Sequence, residues 1–326
     1  MRILVVGTGA MGTSLAGLYC FHNQVHLWGR RREQIEELAC KRENHRYLPG
    51  YAIPLEVELT TKIPAWNTID VVILCVPTQH LREIALEIGL KEFNGPILNT
   101  AKGLELDSFK TPCEILIDVG LRSAQLFAFS GPSHAEEMCR GIPTSLVLAG
   151  GGTGAELPKV LLKSISAPSL RPYYSQDRLG VELGGALKNI IAIACGISDG
   201  LGYGMNTTSA IITRGLSEIK KYGSHRGAEV ETFSGLSCLG DLVTTCCSPH
   251  SRNRSFGRLL VERREAVGQW GKLAEGATTV KSLVQELEHL PFDMPLSRGV
   301  YEIVWNQRSP KEVMRELLTR PHKEED

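Results

Sequence analysis

The sequence lacks an excess of charge of either sign, because 36 lysine and arginine residues balance 36 aspartate and glutamate residues. Without such an excess, no overall field attracts the chain to nucleic acid or to an anionic membrane, and neither is predicted as a partner. Any anionic ligand must therefore be bound by a local cluster of cationic and polar groups.

Paired cysteines are lacking as well. The nine cysteines are odd in number and scattered, and no two have the spacing C-x-x-C. A disulfide framework and a zinc site are therefore not expected, no metal is predicted, and a reducing compartment is favoured. The start of the chain has no recognisable signal peptide, and no uninterrupted apolar run is long enough to span a bilayer. We expect a cytoplasmic enzyme without a membrane span.

What is present is the composition of a folded chain with room for two domains. The 326 residues are 42% hydrophobic and 22% charged, which excludes a disordered or fibrous protein. We predict a dinucleotide-binding domain over residues 1–180 and a second domain over residues 181–326.

The stretch from Val181 to Gly204 is predicted to contain most of a central helix, which ends in the glycines Gly200, Gly202 and Gly204. Between Ala186 and Ile197 its polar side chains are Lys188 and Asn189 alone, which is typical of a helix buried on every side. Burying an ammonium group costs several kcal/mol unless a carboxylate, a ligand or loss of the proton compensates it. Lys188 is therefore a candidate catalytic residue, and the alternative is a lysine whose head group reaches the surface.

A glycine motif follows the first predicted strand. Ile3 to Val6 lead directly into Gly7-Thr-Gly9-Ala-Met-Gly12, and a helical pattern follows. The glycines allow a tight turn and close approach of a pyrophosphate, and the helix N-terminus offers free N–H groups and a positive dipole. This context predicts dinucleotide binding rather than an ordinary glycine turn.

The end of the second predicted strand, Val25 to Trp28, carries arginines instead of an acidic residue. An acidic residue here would bind the ribose 2′-hydroxyl of NAD, whereas Arg30 and Arg31 suit a 2′-phosphate. We predict that NADP(H) is used well and that NAD(H) remains possible. The alternative is a solvated basic turn.

Further strands and helices alternate up to about residue 180, which predicts a doubly wound, Rossmann-like α/β sheet. The further strands are expected at 71–76, 96–100, 125–129 and 145–148, with another helix and strand over 155–174. Ligands of such sheets bind beyond the carboxyl ends of the strands, where Lys102, Gly131, Ser133 and His134 occur. Lys102 would suit an anionic substrate unless it is a surface lysine. His134 suits either an acid–base role or a satisfied loop histidine, and we assign it neither.

The second domain is predicted to be all-helical. Beyond the central helix, which is expected to begin near Asp177, helices are predicted from an Asn206 N-cap to Lys221, over 276–290, and over 309–319 with a capping box from Ser309 to Glu312. Between them, Asp241 is a carboxylate that could hold Lys188. Ser251-Arg252-Asn253 offers a cation and neutral donors suited to a phosphate, or alternatively a basic helix start.

The chain resembles the glycerol-3-phosphate dehydrogenases, particularly the bacterial NAD(P)-dependent type. The matching blocks follow the order of that family over almost the whole chain: GTGAMG from Gly7, AKGLE from Ala101, SGPSHAEE from Ser130, ALKNIIAIACGISDGLGYG from Ala186, LGDLVTTC ending at Cys246, and SRNRSFG from Ser251. Cys238 departs from the pattern, since the family usually has glycine there.

The resemblance implies reduction of dihydroxyacetone phosphate to sn-glycerol 3-phosphate for phospholipid synthesis, with Lys188 as the general acid, and it suggests a homodimer. The implied substrate-binding residues are Lys102, Gly131, Ser133, Lys188, Asp241, Ser251, Arg252 and Asn253. The implied cofactor-binding residues are Gly7, Gly9, Ala10, Met11, Gly12, Arg30, Arg31, Lys102, Ala135, Arg252, Leu273 and Glu275.

Two other functions remain open from the residues. A 3-hydroxyacid or 2-ketoacid reductase would share the sheet and the helical domain, but its carboxylate substrate would not need the Ser251-Arg252-Asn253 phosphate site. A regulatory protein that binds NADP(H) without turnover would use Lys188 only structurally.

Overall fold

The computed structural model describes residues 1–152, 156–263 and 274–320. Within these ranges the first half of the chain forms an eight-stranded sheet flanked by helices, together with a small two-stranded hairpin. The strands are β1 (Arg2–Val6), β2 (Gln24–Trp28), β3 (Glu43–Asn44), β4 (Leu48–Ala52), β5 (Val57–Thr60), β6 (Val71–Leu74), β7 (Ile97–Asn99), β8 (Leu126–Ser130), β9 (Thr144–Gly150) and β10 (Leu170–Ser175).

The large sheet has the order β10-β9-β8-β7-β6-β1-β2-β5. Its central strands are almost wholly apolar because helices cover both faces: β6 is apolar throughout, and β1 is apolar and buried after Arg2. The helices are α1 (Ala10–Tyr19), α2 (Arg32–Lys41), α3 (Thr78–Glu87), α4 (Pro112–Asp118), α5 (Ala135–Met138) and α6 (Glu156–Ile165). The predicted Rossmann-like α/β architecture is confirmed.

The sheet differs from the prediction in two respects. Strand β9 runs antiparallel to β8, while all the other pairings in the sheet are parallel. The edge strand β5 and the hairpin of β3 and β4 were not predicted, because these short polar segments carry little hydrophobic periodicity.

From Arg178 onward the described chain is helical. The helices are α7 (Arg178–Gly200), α8 (Met205–His225), α9 (Asp241–Cys247), α10 (Arg252–Glu262), α11 (Glu275–Leu287), α12 (Pro295–Val304) and α13 (Pro310–Leu318). The predicted boundary between residues 180 and 181 falls in the first turn of α7 and stays a prediction. The helices α9 and α12 were not predicted, and α10 begins where a basic helix start was one of the two alternatives.

The central helix α7 begins and ends as predicted. The Asp177 carboxylate caps it by accepting a 2.8 Å hydrogen bond from the N–H of Gly180. Every residue from Gly180 to Ser198 is buried, and α8, α9, α10, α11 and α12 pack around it. By length and composition alone α7 could cross a bilayer. Its apolar stretch, however, is buried inside the protein. This is the environment of a core helix.

Helices α7 and α10 cross at very short range. A Cβ atom on Gly196 would lie 1.9 Å from the carbonyl oxygen of Arg254, and one on Gly257 would lie 2.1 Å from that of Ile193. Only glycine allows this approach, which brings the start of α10 against the middle of α7. The Ser251-Arg252-Asn253 segment is thereby fixed beside the central helix.

Both predicted ends of helix α8 are wrong. Helix α8 is capped at Gly204 rather than Asn206, and it continues through Gly223 to His225. Gly223 lies directly against the ring of Phe233, so tertiary packing accounts for this glycine within a helix.

Ser309 is the N-cap of α13 as predicted. Its side chain makes no capping hydrogen bond, however, so the predicted capping box is absent.

Candidate active site

Lys188 lies in the interior and makes two hydrogen bonds there. Its Nζ atom is 2.5 Å from Oδ1 of Asp241 and 2.5 Å from Oγ1 of Thr245. The residue is 4% exposed, which excludes the alternative that its head group reaches the surface. The predicted partnership of Lys188 with Asp241 is confirmed in the structure.

Lys102 meets the same carboxylate from the other side. Its Nζ atom lies 2.7 Å from Oδ2 of Asp241 and donates a 2.9 Å hydrogen bond to the carbonyl oxygen of Gly131. The Ser133 hydroxyl donates to that carbonyl at 2.8 Å. Loops after β7 and β8 supply these groups, so the carboxyl edge of the sheet meets α7 and α9 here. One carboxylate therefore holds two ammonium groups.

The charges in this cluster set the pKa values. Burial lowers the pKa of Lys188 to about 8, with the positive charge of Lys102 acting in the same direction and Asp241 opposing both. Burial alone would raise the pKa of Asp241, but the two ammonium groups lower it below its ordinary value. An amine with a pKa near neutrality can both donate and accept a proton under ordinary conditions.

A chain of hydrogen bonds connects the start of α10 to Lys102. Nδ2 of Asn253 donates to Oδ1 of Asn189 at 2.9 Å, and Nδ2 of Asn189 donates to the carbonyl oxygen of Lys102 at 3.1 Å. Oδ1 of Asn253 accepts from the N–H of Gly276 at 3.0 Å. Ser251 is the N-cap of α10 and accepts from the N–H of Arg254, so the basic helix start and the proposed phosphate site are the same structure.

Asn189 and Thr245 are part of the site but were not predicted as site residues from the sequence. Asn189 is the second polar side chain of the apolar stretch in α7, and this was the available signal. Thr245 lies four residues after Asp241 and therefore on the same face of α9.

Arg252 and Glu275 lie close enough for their charges to interact. The Arg252 side chain is exposed at the first position of α10. Glu275 accepts hydrogen bonds from the backbone N–H and the hydroxyl of Thr78, at 3.1 and 3.3 Å. Burial raises the pKa of Glu275 above its ordinary value, while Thr78, Arg252 and Lys102 oppose the shift. Glu275 and Arg252 are thus brought to the same side of the cluster, and Thr78 was missed by the sequence analysis.

The glycine loop has the shape that a pyrophosphate requires. Gly7 has a φ of +114°, and a Cβ atom on Gly12 would lie 1.9 Å from the carbonyl oxygen of Gly7. Apart from its chain neighbours, a Cβ atom on Gly9 would meet no atom of the described residues within 4 Å, so the face above Gly9 is open there. Gly9 is also the N-cap of α1, without a side-chain cap. The loop residues therefore fit a dinucleotide at the helix N-terminus.

Asn44 supports this loop and was not predicted from the sequence. Its buried Nδ2 donates to the carbonyl oxygen of Thr8 at 2.9 Å and to Oγ1 of Thr13 at 2.8 Å. A residue of the hairpin thus ties the loop to the first turn of α1.

The other predicted cofactor residues are placed as follows. Ala10 begins α1 and Ala135 begins α5, while Met11 packs partly against the sheet core. Arg30 is exposed and pairs with Glu83 and Glu87, and Arg31 donates to Gln34. Leu273 lies outside the described residues.

His134 borders the lysine cluster. Its Nε2 atom is buried without a hydrogen-bond partner among the described residues, and its ring centroid lies 5.9 Å from that of His250. Burial lowers the pKa of His134, and the charge of Lys188 lowers it further. Among the described residues, the structure therefore does not show the alternative of a loop histidine whose ring nitrogens are all hydrogen-bonded.

The departure at Cys238 is accommodated by a neighbouring glycine. Cys238 is fully buried in a π-helical turn, and a Cβ atom on Gly184 would lie 2.7 Å from its Cβ. Because Gly184 leaves this space, the side chain fits between the turn and α7. Asp241, three residues later, still contacts both lysines.

Among residues 1–152, 156–263 and 274–320, no group of three histidine, cysteine, aspartate or glutamate side chains is arranged to hold a metal ion. The fold, the open glycine loop and the buried lysine cluster define a nicotinamide-dependent oxidoreductase. Models of the N-terminal and C-terminal regions of NAD-dependent glycerol-3-phosphate dehydrogenase match residues 2–153 and 177–315. The chain belongs to this family, whose members are NAD- or NADP-dependent oxidoreductases that act on a CH–OH group.

Individual relatives agree with this assignment over the full length. The chain is 39% identical to a glycerol-3-phosphate dehydrogenase [NAD(P)+] from Pelodictyon phaeoclathratiforme, over 100% of this chain and 99% of the relative. It is 37% identical to the enzyme of that name from Aromatoleum aromaticum, over 100% of both chains. A crystal structure of glycerol-3-phosphate dehydrogenase from Coxiella burnetii superposes with a TM-score of 0.90 at 32% identity, covering 98% of this chain and 99% of the other.

Proposed function

We propose that this protein catalyses the reversible reduction of dihydroxyacetone phosphate by NADPH or NADH to sn-glycerol 3-phosphate, which supplies the backbone of glycerophospholipids. The observation that carries the proposal is the buried Lys188, held with Lys102 by Asp241 where α7 meets the carboxyl edge of the sheet. Family membership supports the substrate, because the relatives bear the name of this reaction.

Lys188 is the general acid of the reduction in this proposal. When bound, NAD(P)H would supply a hydride to the ketone carbon. The Nζ–H bond of Lys188 would break as its proton passes to the substrate oxygen, on which negative charge forms. In the oxidation the neutral amine accepts that proton. Asp241 holds the amine in place, and the ammonium group of Lys102 stabilises the negative charge that grows on oxygen.

The substrate phosphate is assigned to the start of α10. Arg252 supplies an exposed guanidinium, and the N-terminus of an eleven-residue helix adds a positive dipole. The Ser251 hydroxyl accepts from Arg254 and still has its proton to donate, and the amide of Asn253 has a second N–H beyond the one used for Asn189. Gly131 and Ser133 would face the carbon chain of the substrate from the loop after β8.

The cofactor is assigned to the glycine loop and its surroundings. Gly7, Gly9 and Gly12 would hold the pyrophosphate with Ala10 and Met11, and Arg30 with Arg31 would face the adenosine ribose. Lys102, Ala135, Arg252, Leu273 and Glu275 would lie toward the nicotinamide end, as the family resemblance implies. A homodimer is part of the proposal and is supported by the resemblance alone. A cytoplasmic location is also part of it and is supported by the unpaired, scattered cysteines.

Absorbance of the reduced cofactor tests the proposal. NADPH and NADH are each mixed with the protein and with one of three ketones: dihydroxyacetone phosphate, unphosphorylated dihydroxyacetone or a 2-ketoacid. We expect rapid loss of absorbance with the phosphorylated ketone only. Rapid turnover of a 2-ketoacid with none of dihydroxyacetone phosphate would contradict the substrate, and binding of NADPH without any turnover would favour a regulatory protein.

The variant Lys188→Met tests the role of the lysine. We expect it to abolish turnover and leave NADPH affinity unchanged, because Asp241 keeps Lys102 as a partner and the fold is retained. Lys163→Met, at an exposed position of α6, is the matched control and should match the wild type. Unchanged turnover of Lys188→Met would exclude the acid role.

A further inference from the structure

Arg30 is held by two carboxylates from a different part of the fold. Its Nη2 atom lies 2.8 Å from Oε1 of Glu83, and its Nε atom lies 3.1 Å from Oε2 of Glu87. Glu83 and Glu87 are four residues apart and therefore on one face of α3, while Arg30 follows β2. About half of the Arg30 side chain remains exposed, so a ligand can still reach it. We call these three residues the Arg30 clamp.

The clamp lies where this class of fold distinguishes its two cofactors. At the end of the second strand, an acidic side chain binds the 2′-hydroxyl of NAD, and an arginine accommodates the 2′-phosphate of NADP. Here both kinds of group are present, because the loop supplies the cation and α3 supplies two anions. A 2′-phosphate that approaches Arg30 would find the Nε donor and one N–H of Nη2 already used, with two negative charges next to them.

We propose that Glu83 and Glu87 set the cofactor preference of this protein by weakening the attraction of Arg30 for a 2′-phosphate. NADPH must compete with the two carboxylates for the guanidinium and is repelled by their charge, whereas NADH carries no charged group at this position. Both cofactors are therefore accepted, and the preference for NADPH is smaller than an uncompensated arginine would give. This inference rests on the proposed placement of the cofactor beside Arg30.

The variants Glu83→Gln and Glu87→Gln, singly and together, test the proposal. Glutamine keeps the size of the side chain and removes its charge. The primary measurement is the Kd of NADPH and of NADH, from quenching of protein fluorescence in the absence of substrate. Because these are exposed charges, we expect the Kd of NADPH to fall about two- to threefold in each single variant and about fivefold in the double variant. The Kd of NADH should stay within about twofold, and 0.5 M salt, about the concentration at which the screening length falls to a few ångströms, should abolish the difference.

The controls separate this proposal from the proposed reaction. Glu36→Gln removes an exposed carboxylate that pairs with Arg32 on α2, and it should leave the ratio of the two Kd values unchanged. Arg30→Ala should raise the Kd of NADPH. In that background, the Glu83 and Glu87 variants should no longer change the Kd. An unchanged Kd ratio in the double variant, or an equal change for both cofactors, overturns the proposal. If the ratio shifts as expected while dihydroxyacetone phosphate is not reduced, the clamp stands and the substrate assignment fails.

Discussion

Nζ of Lys188 lies 2.5 Å from Oδ1 of Asp241, and both side chains are almost fully withdrawn from solvent. The pair is not isolated, because Lys102 occupies the second oxygen of the same carboxylate. Asp241 is therefore one anion shared between two cations, and the cluster carries a net positive charge. That excess favours an anionic substrate and the alkoxide that forms from it.

The pH dependence of turnover should follow the amine of Lys188. Reduction needs the ammonium form, so kcat/KM for dihydroxyacetone phosphate should fall as the pH rises through about 8. Oxidation needs the neutral amine, so its rate should rise through the same pH. Rates measured from pH 6 to pH 10 in both directions test this, and two profiles that move in the same direction would contradict it.

Asp241→Asn should shift that profile toward acid. The carboxylate raises the pKa of Lys188 against burial and Lys102, so its removal lowers the pKa further. We expect the midpoint of the reduction profile to move down by about one unit or more, and turnover at pH 7 to fall at least about 100-fold, as is typical when proton transfer is impaired. A midpoint that stays near its wild-type value would show that Asp241 does not control the amine.

Arg252→Ala should raise the KM for dihydroxyacetone phosphate at least about tenfold, the value of one charge-assisted phosphate contact. At saturating cofactor, the activity with unphosphorylated dihydroxyacetone should change far less, because that ketone has no phosphate to bind. Arg258→Ala, on the same helix but paired with Glu262, is the control and should leave both values unaltered. Steady-state kinetics with the two ketones measure this, and an unaltered KM for Arg252→Ala would remove the phosphate assignment.

Asn253→Asp should destabilise the protein and impair the site together. The substitution replaces the Nδ2 donor by an oxygen that faces Oδ1 of Asn189, which in turn positions the carbonyl of Lys102. An unmade buried hydrogen bond costs about 1–3 kcal/mol, so the free energy of unfolding in urea should fall by that amount while the KM rises. Asn67→Asp, at an exposed position, should change stability by less than about 0.5 kcal/mol. Wild-type stability of Asn253→Asp would mean that the hydrogen-bond chain is dispensable.

Local patterns predicted much of the fold and the centre of the site. The strand, glycine turn and helix from Arg2 to Tyr19 depend on residues close in sequence, and so does the Asp177 cap of α7. The partnership of Lys188 with Asp241 could be inferred because a buried ammonium requires a carboxylate, and Asp241 lies among apolar residues.

The remaining features depend on contacts between distant parts of the chain. Asn189 and Asn253 are 64 residues apart, and Asn189 and Lys102 are 87 apart, so no local pattern brings them together. Gly223 has the sequence signal of a helix end, yet its packing against Phe233 keeps it inside α8. The carboxylates that hold Arg30 come from α3, about 50 residues further along the chain, where the sequence analysis did not look for them.

Glu218 should make stability depend on pH in the direction opposite to an ordinary ion-paired carboxylate. It lies on α8 and caps α12, accepting hydrogen bonds from the N–H groups of Leu296 and Ser297 and from the Ser297 hydroxyl at 2.6, 3.0 and 2.7 Å. Burial raises its pKa from 4.5 to about 7, and Asp293 acts in the same direction, while the bonds from Ser297 and Leu296 oppose the shift. Because the folded-state pKa is higher than the unfolded one, the native state binds more protons between these two values.

The contribution of Glu218 to stability is therefore fully present below pH 4.5 and is lost as the pH rises to about 7. Glu218→Gln resembles the protonated side chain at every pH and removes this titration. We expect the decrease in the free energy of unfolding between pH 5 and pH 7.5 to be about 2 kcal/mol smaller in the variant than in the wild type. Urea unfolding at the two pH values measures it, with the exposed Glu231→Gln as a control that should follow the wild type. Equal decreases in Glu218→Gln and the wild type would show that this carboxyl group titrates alike in the folded and unfolded chain.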